Sequence, residues 1–231
     1  MSFNNGKCHV LHLGRTNPKH VYKMNNMDLA VTEEERDLGV LISSSLKVGR
    51  QCEKAAMTAT GVLAQILRGF SYRNRDVLPG LYRTYVRPHL EYPVTAWSPW
   101  QIGDCERLEN VQKRMVAAVS GLKGKTYEEK LKEIGMETLA ERRRRLDLLQ
   151  TFKILNKKED VEPETWFRQL QADRGARTRM RGGGVSLALT RSRLELRRNF
   201  YSQRVVGPWN RLQGEVRLSK TVNEFKRKVR K

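Results

Sequence analysis

The chain has 231 residues, 39% hydrophobic and 30% charged, enough apolar material for a modest core in one large domain or two small ones. Forty-five Lys and Arg against twenty-five Asp and Glu leave a formal charge of +20, the footprint of a polyanion binder. There is no run of about eighteen apolar residues and no secretory pattern in MSFNNGKCHVLHLG, so an intracellular protein, nuclear or cytoplasmic, with no membrane partner is expected.

Residues 8–42 hold the only convincing strands: CHVLHLG, a hairpin over VYKMNNMDLAV with NN at its bend, and LGVLI behind an acidic run. Helical spacing begins after Lys47. In CEKAAMTATGVLAQILRGF the residues Cys52, Ala55, Ala56, Ala59, Val62, Leu63, Ile66, Leu67 and Phe70 share one face, which the alanines keep narrow enough for a close helix neighbour. Asp76 is placed to cap a second helix carrying Leu78, Leu81, Tyr82, Tyr85, Val86 and Leu90, after which the prolines of RPHLEYPVTAWSPW break the chain and Trp97 and Trp100 are expected to cover the end of the bundle. A third helix turns Leu108, Val111, Met115 and Val119 inward and stops at Gly121. Thr126 and Glu129 form a capping box for the next helix, and Leu139, Leu146, Leu149, Phe152 and Leu155 lie on the stripe of another, whose arginine run 142–145 faces mostly solvent. Residues 173–190 read as an Arg/Gly-rich linker. RNFYSQRVVGPWNRL and a last helix capped by Thr221 have enough apolar residues to be ordered. The fold class is therefore mainly α, with a small N-terminal β-hairpin region, a helical bundle and a basic helical C-terminal segment.

Little in the chain points to catalysis. Cys8, His9 and His12 have no second ligand pair at zinc spacing, and the three cysteines form no disulfide framework. Phosphate-cradling glycine motifs are absent, His89 and Glu91 point to different sides of a helix, and the aspartates are scattered singly, so no catalytic residue, metal ligand or cofactor is assigned. The charge, by contrast, is concentrated. Residues 174–231 carry seventeen Lys and Arg against three acids, and the remaining 173 residues contribute only +6. Such a basic end suits RNA or DNA, whose condensed counterions are released on binding. A solubilising tail or a nuclear address is the alternative.

The ordered series FNNGKCHVLHLG, ERDLGVLISSSLK, VLPGLYRTYVRPHLEYPVTAWSPW, LENVQKRM, GLKGKTYEEKLKEIGMETLAERRRRLDLLQTFKILN and RNFYSQRVVGPWNRL resembles the C-terminal part of reverse transcriptases from non-LTR, LINE-type retrotransposons of the jockey and chicken-repeat-like groups. The resemblance covers nearly the whole chain. It implies that residues 1–47 are a palm remnant, with Lys7 near the nucleotide and Leu38, Gly39 and Val40 in a primer grip. Residues 48–121 would be a thumb-like bundle, 122–172 further helices and 191–231 a basic segment holding template RNA or target DNA. Contacts to template–primer backbone would come from Lys54, Arg68, Arg73, Arg75 and Arg87, and then from Arg177, Arg179, Arg181, Arg197 and Arg198.

The family's catalytic aspartates lie upstream of the matched region, so a truncated RNA-directed DNA polymerase that is inactive alone is expected; a full-length relative would need Mg2+. The alternatives are a helical scaffold binding a protein partner through exposed palm-remnant surface, and a relic reading frame.

Overall fold

The computed structural model describes residues 4–14, 16–170 and 185–230. The fold is mainly helical with a small N-terminal β region. It divides into two compact units, Met1–Pro93 with Pro99–Ile134, and Val94–Ser98 with Gly135–Lys231. Among the described residues no helix is long and apolar enough to cross a membrane.

The first unit begins with a 3₁₀ turn, Asn5–Lys7, and six short strands: β1 His9–Leu11, β2 Lys23–Met24, β3 Met27–Asp28, β4 Ala30–Thr32, β5 Glu34–Asp37 and β6 Val40–Ser43. β1 runs parallel to β4, with Val10 opposite Val31, while β2–β3 and β5–β6 are antiparallel hairpins. Asn25 and Asn26 form the first hairpin bend with φ of 50° and 61°, a left-handed pair that Asn tolerates and that matches strand twist. The acidic run is itself a strand rather than a lead-in: β5 pairs with β6 from Glu34 opposite Ser43 to Asp37 opposite Val40. Its inner carboxylates are matched, Glu34 to Arg50 at 3.1 Å and Glu35 to His9 at 2.9 Å.

α1, Gly49–Gly69, buries Cys52, Ala55, Ala56, Ala59, Leu63 and Ile66, and the alanine seam lets α5 (Ile102–Ala117) lie against it. Phe70 departs from the expected stripe: it sits past the helix end in extended backbone and is exposed. The next helix is capped by Asn74 rather than Asp76. Asp76 already has helical dihedrals and its side chain makes no capping bond, whereas Asn74 Oδ1 accepts from the Val77 amide at 2.7 Å.

α2, Val77–Leu81, and α3, Arg87–Glu91, are joined through a π turn, Tyr82–Val86, in which the Arg87 amide reaches back to the Tyr82 carbonyl. The turn precedes Pro88, which has no amide to offer and would crowd an α-helical turn. It also serves packing. The buried Leu78, Tyr82, Val86 and Leu90 recur every four residues. That spacing drifts about 40° per step in an α-helix, and the wider turn offsets part of the drift. Tyr85 is consequently turned outward and exposed, against the expectation for that stripe.

Leu108, Val111, Met115 and Val119 are buried as their spacing predicts, and Gly121 ends the segment at φ 80°. α6, Tyr127–Glu133, opens with the predicted Thr126–Glu129 capping box. Inside, Tyr82 Oη donates to Gln112 Oε1 (3.2 Å), Gln112 Nε2 donates to Tyr127 Oη (3.0 Å), and Tyr127 Oη donates to Glu109 (2.5 Å). Burial pushes both phenols well above their ordinary value, with Glu109 adding to the effect on Tyr127.

The second unit comprises α4 Val94–Trp97, α7 Leu139–Leu155, α8 Pro163–Trp166, α9 Glu195–Arg198, α10 Tyr201–Arg204, α11 Val206–Arg211, α12 Gly214–Arg217 and α13 Val222–Val229. Trp97 is buried in α4, which packs on α7; Trp100 is half-buried. Phe152 of α7 stacks on Phe225 at 4.3 Å, and Trp209 stacks on Phe225 from the other helices at 6.0 Å. The basic C-terminal segment is thus core material.

The buried face of α7 also differs from the predicted stripe. Phe152 is buried, but Leu146 is only half-buried, while Arg143 and Asp147 are inside. Asp147 is there because Arg204 meets it with two bonds, 2.8 and 2.9 Å, and also donates to the Thr95 and Asn199 carbonyls. The described part of the Arg/Gly-rich stretch, from Val185 on, is anchored. Trp209 Nε1 donates to the Val185 carbonyl, and the Asn210 amide pairs with both backbone groups of the buried Leu187.

Candidate nucleic-acid interface

The cations assigned by the family resemblance have diverse surroundings. Lys7 is exposed at the end of the opening 3₁₀ turn. Leu38 and Gly39 are the bend between β5 and β6, with φ of 44° and 90°, and Val40 starts the return strand. Leu38 is 84% exposed at the tip, its carbonyl accepting a bond from the Tyr92 hydroxyl (3.3 Å). Lys54 lies half-buried on α1 and Arg68 is exposed near its end.

Three of the assigned arginines are engaged within the first unit. Arg73 caps α1, donating to the Leu67 and Phe70 carbonyls. Arg75 donates to the Gly121 carbonyl at 2.9 Å and pairs with Glu133 at 2.7 Å. Arg87 is largely buried beside Glu91, 3.6 Å away on the next turn. These three stabilise helix ends and joints, so they are poor candidates for phosphate contact. Arg197 and Arg198 are exposed on α9. Arg177, Arg179 and Arg181 lie outside the described residues.

A further group of cations, among the described residues, comes together in the second unit. In the second unit α7, α11 and α13 enclose a cleft of about 470 Å³ walled by Arg144, Arg145, Arg211 and Arg230 over a floor of Leu148, Pro208, Leu212 and Val229. Two carboxylates also line it, and each accepts hydrogen bonds from its own neighbours. Glu137 accepts from Arg145 at 2.5 Å, and Glu141 closes the capping box of α7 by accepting from the Thr138 amide and hydroxyl. Burial pushes the Arg145 guanidinium below its ordinary value; Glu137 opposes this, and the neighbouring charges of Arg142 and Arg230 reinforce it. Arg144, Arg211 and Arg230 are exposed and make no ion pair with a described residue.

The sequence carries part of this signal, since the 142–145 run is visible in it. That two of its members would line one cleft with Arg211 and Arg230, far along the chain, follows only from the packing of α11 and α13 on α7. The arrangement suits an anion, because the four guanidiniums of the lining outnumber its two carboxylates and leave it net positive. Among the described residues no group of three or more His, Cys, Asp or Glu is placed to hold a metal ion. Comparison of the chain with models of protein families, with curated proteins and with solved structures gives no match.

Proposed function

We propose that the chain is a nucleic-acid-binding module that takes RNA or DNA chiefly through its phosphates. On this reading it corresponds to the thumb and C-terminal part of the reverse transcriptases its sequence resembles, without polymerase activity of its own. The observation that carries the reading is the cleft, where Arg144, Arg211 and Arg230 stand exposed without carboxylate partners in a chain of net charge +20. Contacts of this kind read backbone and shape rather than base sequence.

Deleting the basic C-terminal segment is a poor test, because Trp209 and Phe225 fill the core. The informative experiment is substitution of the three cleft arginines by alanine, with affinity for an oligonucleotide measured across a salt series. The unaltered chain is expected to lose affinity steeply as salt rises, and the triple variant to show a log–log slope smaller by about two to three. A salt-independent affinity in the unaltered chain would falsify the reading.

A second reading, contact with a protein partner, is favoured by the exposed side chains of Val21, Tyr22, Met27 and Val31 in the β region. It requires that Val21→Lys with Met27→Lys abolish such a contact and leave oligonucleotide affinity unchanged.

A further inference from the structure

Two large aromatic rings of the second unit are partly exposed. Trp166, at the end of α8, and Phe200, between α9 and α10, are 37% and 42% exposed. Their rings are parallel within 4°, with centroids 6.3 Å apart. They are braced from within: Tyr201 meets Trp166 edge-on at 5.9 Å, Phe167 meets Tyr201 edge-on at 5.7 Å, and the buried Tyr201 hydroxyl is bonded to Thr151 at 2.9 Å. Arg197 covers part of Phe200, its guanidinium 5.2 Å from the ring centre. Rings of this size contribute most to stability when buried, and the exposed part of each contributes little to the core. What their bracing does supply is a pre-oriented surface that loses little rotamer freedom when a planar partner is added. The acids of these two elements, Glu164 and Glu195, make no ion pair with Arg197.

We propose that Trp166 and Phe200 form a stacking platform for unpaired bases, so that the partner is single-stranded nucleic acid. Every base presents a π-face, whatever its identity, and the strand's phosphates lie within reach of a guanidinium such as that of Arg197. The proposal rests on the nucleic-acid reading but concerns a different surface from the arginine cleft and a different chemistry, base faces rather than phosphate charge. In a duplex those faces are already stacked and unavailable.

The test compares, at one salt concentration, a thymidine strand of about twelve nucleotides, a length within the usual site size, with an abasic strand of the same length and charge. The unaltered chain is expected to prefer the thymidine strand by about tenfold or more, in the range one stacked base provides. Trp166→Ala with Phe200→Ala should abolish that preference while keeping the affinity for the abasic strand, which also shows that the variant is folded. Trp166→Phe should retain most of the preference. Equal affinity of the unaltered chain for the two strands overturns the platform and leaves phosphate binding intact, as does a preference that survives the double substitution. Failure of the unaltered chain to bind either strand overturns the nucleic-acid reading itself.

Discussion

The two units differ in what their arginines do. In the first, arginines act as structural braces: Arg73 caps α1, Arg75 ties Gly121 to Glu133, Arg87 pairs with Glu91, and Arg50 joins Glu34 and Glu53. In the second, one arginine, Arg204, is consumed by a buried carboxylate, while Arg144, Arg211 and Arg230 line an open cleft without carboxylate partners. A count of cations therefore says little about where a polyanion would sit. What matters is how many guanidiniums remain after helix ends and carboxylates have been satisfied.

The buried polar groups give the largest expected effect. The second unit relies on a desolvated ion pair, and Asp147→Ala would leave Arg204 buried beside no carboxylate. A loss of about 3–5 kcal/mol is expected in urea unfolding followed by circular dichroism. A loss below about 1 kcal/mol, the range of an exposed pair, would mean that the pair behaves as a surface one.

The first unit also holds a largely buried pair, Arg87 with Glu91, but its chain Tyr82–Gln112–Tyr127 should make it sensitive in the alkaline range. Both phenols are raised in the folded state. Their contribution is fully present below the ordinary phenol value near 10 and is lost as pH rises above it, because the unfolded chain releases those protons first. The expected cost is at most about 1.4 kcal/mol for each pH unit above 10 for the buried Tyr82, and less for the partly exposed Tyr127, which solvent screens. Tyr82→Phe should make the decline shallower in unfolding curves taken on either side of that value. An unchanged slope would place Tyr82 outside the linkage. Tyr201 of the second unit is raised as well, by burial, so the decline should be reduced rather than removed.

The smallest effect sharpens the contrast in charge. Arg73→Ala with Arg75→Ala is expected to lower stability by about 1 kcal/mol or less, since both side chains are partly exposed, and to leave oligonucleotide affinity within about twofold. A large loss of affinity with no loss of stability would move the interface to the first unit.

Much of the local structure was legible. The Asn25–Asn26 bend, the alanine seam of α1, the inward face of α5 and the Thr126–Glu129 and Thr221–Glu224 caps follow from periodicity and short-range hydrogen bonding, which act over a few residues. Departures arose where a local signal met a tertiary one. Asn74 displaced Asp76 as a cap, the π turn before Pro88 rotated Tyr85 outward, and Arg204 drew Asp147 into the core at the expense of Leu146. Of the interface, the excess of charge and its bias toward the C-terminal segment could be read directly. The particular residues could not, because Arg73 and Arg75 look as free in the sequence as Arg144 and Arg211 do.

The amino-acid order by itself thus determined the mainly helical fold class, the helix faces and the overall basicity, since each depends on composition or on neighbours within a turn or two. Only the tertiary structure decided which guanidiniums stay exposed and which aromatic rings stay partly exposed. Those outcomes depend on partners tens of residues away, as Arg204 is from Asp147 and Arg230 from Arg144, and on the competition of every buried polar group for a mate.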